Sequence, residues 1–266
     1  MTTATSRFSR PVARRVAVAA ALSLTWIGCS QSSPGAGEVV PLGLTFRYDP
    51  ELQGDPFVAE IAQSQDYDCA FFGSTRFTAT PPSISLDGSG ASCRSPSIPS
   101  TLGFGGGDNE HTLFVVVKPT LSEQVDSYVL DRQKNRADIL YGYVAGQFEY
   151  FVEGNGFIGD NPRIGTAIPA SVNQWQTIAY SVGADGSSKL VRGYKNGVRT
   201  VGPLIKTFSI FPETGAITLG NSTTGINGFT GQIAHAFWWN RQLSDGEIQA
   251  VHAWVRDRGG FTGLLP

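Results

Sequence analysis

The last quarter of the chain sets a strand directly before a helix, and that junction constrains the fold more than any other stretch. Residues 228–240, GFTGQIAHAFWWN, read as a strand, and residues 241–255, RQLSDGEIQAVHAWV, follow at once. Ser244 stands three residues before Glu247. At that spacing a serine caps the free N–H groups of a first helical turn while the glutamate reaches back to the cap residue. Ile248, Val251, Trp254 and Val255 then recur at helical spacing, and Gly259-Gly260 supplies the stop. The prediction is a short helix laid against a β body.

Upstream, from Leu42 onward, short strand-like runs are broken by Gly, Pro, Asn and Asp at short intervals, the rhythm of antiparallel sheets. A chain of 266 residues with 32 glycines, 15 prolines and one methionine agrees with many turns and few helices. Leu113 to Val117 is apolar throughout and closes at Pro119, which predicts a central strand covered on both faces. Further strands are predicted from Gln174 to Val182 and from Lys189 to Tyr194. Asn196-Gly197 between strand-like flanks is the pair a tight primed hairpin turn needs, because both central residues take positive φ. The expected fold class is all-β, a two-sheet antiparallel jelly-roll sandwich with one short C-terminal helix.

The first residues belong to a different kind of segment. Arg7, Arg10, Arg14 and Arg15 precede an apolar run from Val16 to Ile27 that ends in Gly28-Cys29, which reads as a secretory signal peptide over residues 1–28. Small or apolar residues leading into Cys29 resemble the site at which bacterial lipoproteins are cut and acylated. Lipidation at Cys29 would anchor the chain durably in a membrane. Ordinary cleavage nearby, with Cys29 a bystander, is the alternative. Residues 29–41 are rich in Ser, Gly and Pro and read as a flexible tether, leaving 42–266 as the folded domain. The expected location is the bacterial outer membrane or cell surface. Without the four signal arginines the chain carries 16 basic against 22 acidic residues, a net of −6. No basic stripe remains for a nucleic-acid partner. Cys69 and Cys93 then form an even pair in an oxidising compartment, and one disulfide is the simplest reading; two buried thiols or a metal pair are the alternatives.

In order along the chain, several segments resemble concanavalin A-like jelly rolls of the laminin G type found in secreted bacterial proteins. Ile84 to Gly90, ISLDGSG, is similar to that family's early strand and turn; His111 to Pro119, HTLFVVVKP, to its FTLSVWVKP strand; Trp175 to Tyr180, WQTIAY, to WHHVAV; Tyr194 to Gly197, YKNG, to YVNG; and Ile217 to Gly220 to LTIG. Phe229 to Ile248 resembles the closing segment, with Ala234 and His235 where an acid commonly follows the isoleucine. The resemblance spans about Leu42 to Val255. It implies a binding module for a glycan or for an envelope or extracellular protein, with calcium the cofactor class the family uses.

Some members of this fold cleave glycans with acids alternating Glu, Asp, Glu along one strand. The nearest match is Glu149 and Glu153, with Phe151 in the middle position. These two are the catalytic candidates of a less favoured enzyme reading. No GxSxG elbow is present, and His111, His235 and His252 lie far apart without zinc-ligand spacing. Gly103 to Gly107 lacks the lysine and the strand-then-helix setting of a phosphate loop.

For binding, strict alternation along the closing strand sets Ala234, Ala236 and Trp238 on one face and Ile233, His235, Phe237 and Trp239 on the other. If the first set packs beside the helix, His235, Phe237 and Trp239 are candidates for stacking on sugar rings; burial of both faces, a purely structural role, is the competing expectation. Asp108, Asn109 and Asn221 are the candidate calcium ligands, as loop oxygens of the type that cation takes.

Overall fold

The computed structural model describes residues 44–48, 57–61, 64–95, 110–122, 124, 126–132, 136–142, 145–153, 166–208, 215–222, 225–258 and 260–266. Residues 1–28, read above as a signal peptide, Cys29, residues 29–41, read as a tether, the glycine run at 103–107, and Asp108 and Asn109 lie outside them. One sheet runs in the order β14 (Val198–Lys206), β13 (Ser188–Lys195), β12 (Gln176–Asp185), β7 (His111–Pro119), β16 (Thr230–Trp239), β1 (Leu44–Tyr48), β2 (Phe57–Ile61). A β4–β5 hairpin (Arg76–Ala79, Pro82–Asp87) adds to β16 beside β1. The second sheet runs β11 (Ile168–Pro169), β10 (Gln147–Glu153), β9 (Arg136–Tyr141), β8 (Ser127–Arg132), β15 (Ile217–Leu219), β6 (Ser92–Arg94), β3 (Ser64–Phe72). Every strand pairing is antiparallel, and β3 turns the corner, pairing with β2 at one end and β6 at the other.

The all-apolar Leu113–Val117 run lies in β7, held between β16 and β12 and buried throughout. Its alternate residues serve two different cores. Leu113, Val115 and Val117 join Ile178, Tyr180 and Val182 of β12 and meet Val129, Ile139, Phe148, Tyr150, Val152 and Leu219 of the second sheet. Phe114 and Val116 face the other way, into a second core closed by the helix. A strand with apolar residues on both faces is the pattern expected when both faces are covered. Asn196 (φ 51°) and Gly197 (φ 76°) form the predicted primed turn between β13 and β14.

The helix α1, Asp245–Arg258, starts where its cap signature put it. Ser244 donates its backbone N–H to Glu247 Oε2 at 2.9 Å, and Glu247 N–H donates to Ser244 Oγ at 3.3 Å. Arg241 binds the same carboxylate, and this pairing above all holds the Glu247 pKa down to about 2. Ile248, Val251 and Val255 press onto Phe114, Val116, Phe237 and Trp239, with Phe261 and Leu265 of the tail completing the layer.

One feature of β16 departs from strict alternation. Its pairing with β7 slips between Ile233 and His235, where Val117 and Val116 are consecutive partners. This bulge leaves Ala234 and His235 successive residues on one side. Ile233, Ala236 and Trp238 therefore face the second sheet, while Ala234, Phe237 and Trp239 face the helix. The face expected to be open is the one that α1 covers.

Candidate functional site

The aromatic candidates on the closing strand are core residues. His235 is 1% exposed, Phe237 2% and Trp239 0%. His235 stacks on Phe237 with ring centroids 5.9 Å apart and meets Phe261 edge-on at 5.7 Å; Phe237 meets Trp254 of α1 at 5.9 Å. Their role is to glue helix and tail to the sheet, and the sugar-stacking face proposed for them is closed. The bulge and the helix together account for the difference.

The other two histidines are also structural. His111 Nε2 lies 2.8 Å from Tyr150 Oη, a bond across the two sheets, and its ring stacks on Trp238. His252 on α1 bonds Thr177 Oγ1 through Nδ1 and the Pro266 carbonyl through Nε2, both at 3.0 Å, so it pins the tail to β12. Burial pushes the His252 pKa down.

Glu149 occupies a more unusual position. Its neighbours Phe148, Tyr150 and Val152 fill the inter-sheet core, so alternation turns Glu149 to the opposite face of the second sheet. It is nevertheless 5% exposed, and its Oε2 accepts no hydrogen bond. Desolvation, with the charge of Asp126 adding to it, raises its pKa. Phe151 faces Asp138 on β9, which is fully buried, so the acid absent from the middle of the Glu149–Glu153 row is supplied by the adjacent strand. The Glu153 side chain lies outside the described residues.

A carboxyl with a raised folded pKa favours folding below the unfolded pKa, and that contribution is lost as pH rises through the folded value. Glu149→Gln is therefore expected to raise the melting temperature at pH 7, with the gain shrinking toward pH 4. Thermal unfolding of both proteins between pH 4 and 8 checks this; a pH-independent difference would contradict it.

Of the calcium candidates, Asn221 is fully buried at the end of β15. Its Oδ1 accepts the Ser222 N–H at 2.8 Å, and its Nδ2 has no partner. An oxygen already engaged and a donor group beside it do not suit a hard cation. Among the described residues no three His, Cys, Asp or Glu side chains converge as a metal site.

A cleft that motif reading did not single out lies where the β11–β12 loop, the β13–β14 turn and the C-terminal tail meet. It holds about 550 Å³ and is lined by Pro81, Lys118, Ser171, Asn173, Gln174, Trp175, Gln176, Asn196 and the stretch Gly263–Pro266. Its walls are fixed by their own bonds. Gln176 ties Ser171 through both amide atoms, accepting its N–H at 3.1 Å and donating to its carbonyl at 2.9 Å. Asn196 Oδ1 accepts the Thr177 N–H at 2.9 Å. Asn173 donates its N–H to the Pro119 carbonyl at 2.8 Å, and Trp175 packs edge-on against Phe261. The sequence hint was present in the polar run from Ser171 to Gln176 and in Asn196, but both read as turn chemistry; their convergence with Lys118 and Leu264 is tertiary.

Comparisons with known proteins agree with this architecture. No curated protein sequence matches the chain. Domain 4 of a GH43 extracellular arabinanase from Geobacillus stearothermophilus, in complex with arabinotriose, superposes with a TM-score of 0.57 at 15% identity, over 79% of this chain and 98% of that domain. The binding domain of botulinum neurotoxin DC, in complex with rat synaptotagmin II, gives 0.59 at 11% identity, over 81% of this chain but 52% of its own length. A Trypanosoma rangeli sialidase in complex with sialic acid gives 0.55 at 14% identity, over 84% of this chain and 34% of that one. At these identities the likeness is one of fold. The Laminin_G_3 family model matches residues 87–249, more than half of the chain and the span from the end of β5 into α1, and the chain thus belongs to that family of the concanavalin A-like lectin/glucanases superfamily.

Proposed function

We propose that the chain is a non-catalytic binding module, exported and lipid-anchored at the cell envelope, whose cleft beside the C-terminal tail receives a glycan. The observation that carries this reading is the cleft itself: amide and hydroxyl side chains on walls fixed by hydrogen bonds, with Pro81 and Leu264 as apolar surfaces. Concave sites that combine apolar walls with a few fixed polar groups are where small ligands bind. The arabinanase domain with arabinotriose and the neurotoxin domain with synaptotagmin lend general support to a glycan or protein partner. Gln174 is exposed at the cleft, so Gln174→Trp is expected to plug it at little cost to folding. Retention on a glycan array that disappears in this variant supports the reading; retention unchanged by the plug overturns the site, and no retention on glycans or envelope extracts favours a structural envelope protein.

A second reading, glycan cleavage on the outer face of the second sheet, draws on the buried, unpartnered Glu149 oxygen and its raised pKa. Release of reducing ends from a polysaccharide panel, abolished in Glu149→Gln, would establish it. Two covalent features belong to the same proposal. Acylation at Cys29 makes membrane fractionation depend on that residue, and unchanged partitioning of Cys29→Ser overturns it. A Cys69–Cys93 disulfide would staple neighbouring strands: β3 pairs with β6, and Phe71, two positions from Cys69, lies opposite Cys93. Thiol titration of the denatured, unreduced protein should then find neither cysteine reactive. In the chain-entropy model such a loop closure stabilises by roughly 3 kcal/mol.

A further inference from the structure

The polar groups of the cleft are unequally spent. Both ends of the Gln176 amide are used on Ser171. Asn196 Oδ1 already accepts the Thr177 N–H, while its Nδ2 hydrogens have no partner among the described residues and are available to a ligand. Ser171 Oγ accepts from Lys195 Nζ at 3.1 Å, which leaves the hydroxyl hydrogen to donate and sets a second ammonium behind it. Among the described residues Lys118 is the sole charged side chain in the lining, and its ammonium has no hydrogen-bond or ionic partner there. It stands on β7 two positions beyond Val116, on the helix-side face. The groups left to offer a ligand, the Asn196 amide hydrogens, the Ser171 hydroxyl and the Lys118 ammonium, are thus donors, and among the described residues no carboxylate side chain lines the cleft.

A cation flanked by two donors, with no carboxylate side chain beside them among the described residues, selects for an acceptor-rich anion. Resting on the glycan-binding reading above, we infer that the cleft prefers a saccharide bearing a carboxylate, a uronic-acid type of sugar, whose carboxylate sits between Lys118 Nζ, Asn196 Nδ2 and the Ser171 hydroxyl. The mouth residues Asn173 and Gln174, each carrying both donor and acceptor, are suited to the neutral hydroxyls of the same chain.

The test compares tetragalacturonate, its uncharged methyl ester and arabinotriose by titration calorimetry with the full chain. The acid should bind at least about tenfold more tightly than its ester, as loss of a charge-assisted hydrogen bond implies. Lys118→Gln should remove most of that preference, and Asn196→Asp should reverse it. Asp tolerates the left-handed backbone of that turn and keeps the oxygen that accepts from Thr177, so the fold is retained. The preference should also weaken with added salt. Equal binding of acid and ester, or a preference untouched by Lys118→Gln, overturns the charge selectivity and leaves the glycan-binding reading standing. Binding of none of the three saccharides, together with an empty glycan array, overturns both.

Discussion

Trp239→Ala is expected to destabilise the domain by about 3–5 kcal/mol, the range for truncating a buried Trp or Phe. Trp239 is fully buried, packs against Phe237 with centroids 5.8 Å apart, and shares its layer with Ile248, Val251 and Val255 of α1. Removing the indole leaves a void between a sheet and a helix that touch largely through such side chains, and neither can collapse onto the other without breaking the Ser244–Glu247 cap or the His252 contacts. Chemical denaturation with circular dichroism measures the loss. A stable variant with weakened glycan binding would instead restore Trp239 as an exposed contact.

Gly142→Ala is the second large effect, at about 2–4 kcal/mol. Gly142 has φ +87°, where side chains are disfavoured, and a Cβ there would lie 2.1 Å from the Gln124 carbonyl oxygen. That carbonyl cannot move freely, because Gln124 clamps β16: its Oε1 accepts the Thr230 N–H at 2.7 Å and its Nε2 donates to the Thr230 carbonyl at 2.9 Å. Strain at the β9–β10 turn is thereby passed to the strand that links both cores. Denaturant midpoints of the variant and the parent give the cost. An unchanged midpoint would mean that the two loops move independently.

Much of the scaffold is legible in the residues because it is local. The cap pair Ser244 and Glu247, the Asn196-Gly197 turn and the two-sided apolar run of β7 each depend on neighbours within a few positions. The candidate site was less legible. Alternation on β16 assigns Phe237 and Trp239 correctly to one face, but the bulge at Ala234–His235 moves Ile233 away from them. Nothing in the residues at 233–235 announces the slip, since a bulge is settled by pairing with β7 and not by local preference. Glu149 stands out by sequence as half of an acid pair, yet its burial and the cross-strand approach of Asp138 come from the β9–β10 register.

By itself the sequence determined the two-layer β architecture and its terminal helix, since periodicity, turn chemistry and capping all act within short windows, and the order of its motifs carried the resemblance to the family. Tertiary structure decided which aromatic face was sealed, because α1 had to bury its own apolar stripe somewhere and the outer face of β7, β12 and β16 was the apolar surface available. It also assembled the cleft, bringing Pro81, Lys118, Ser171, Asn196 and Leu264 together from five separated segments through contacts that no local window contains.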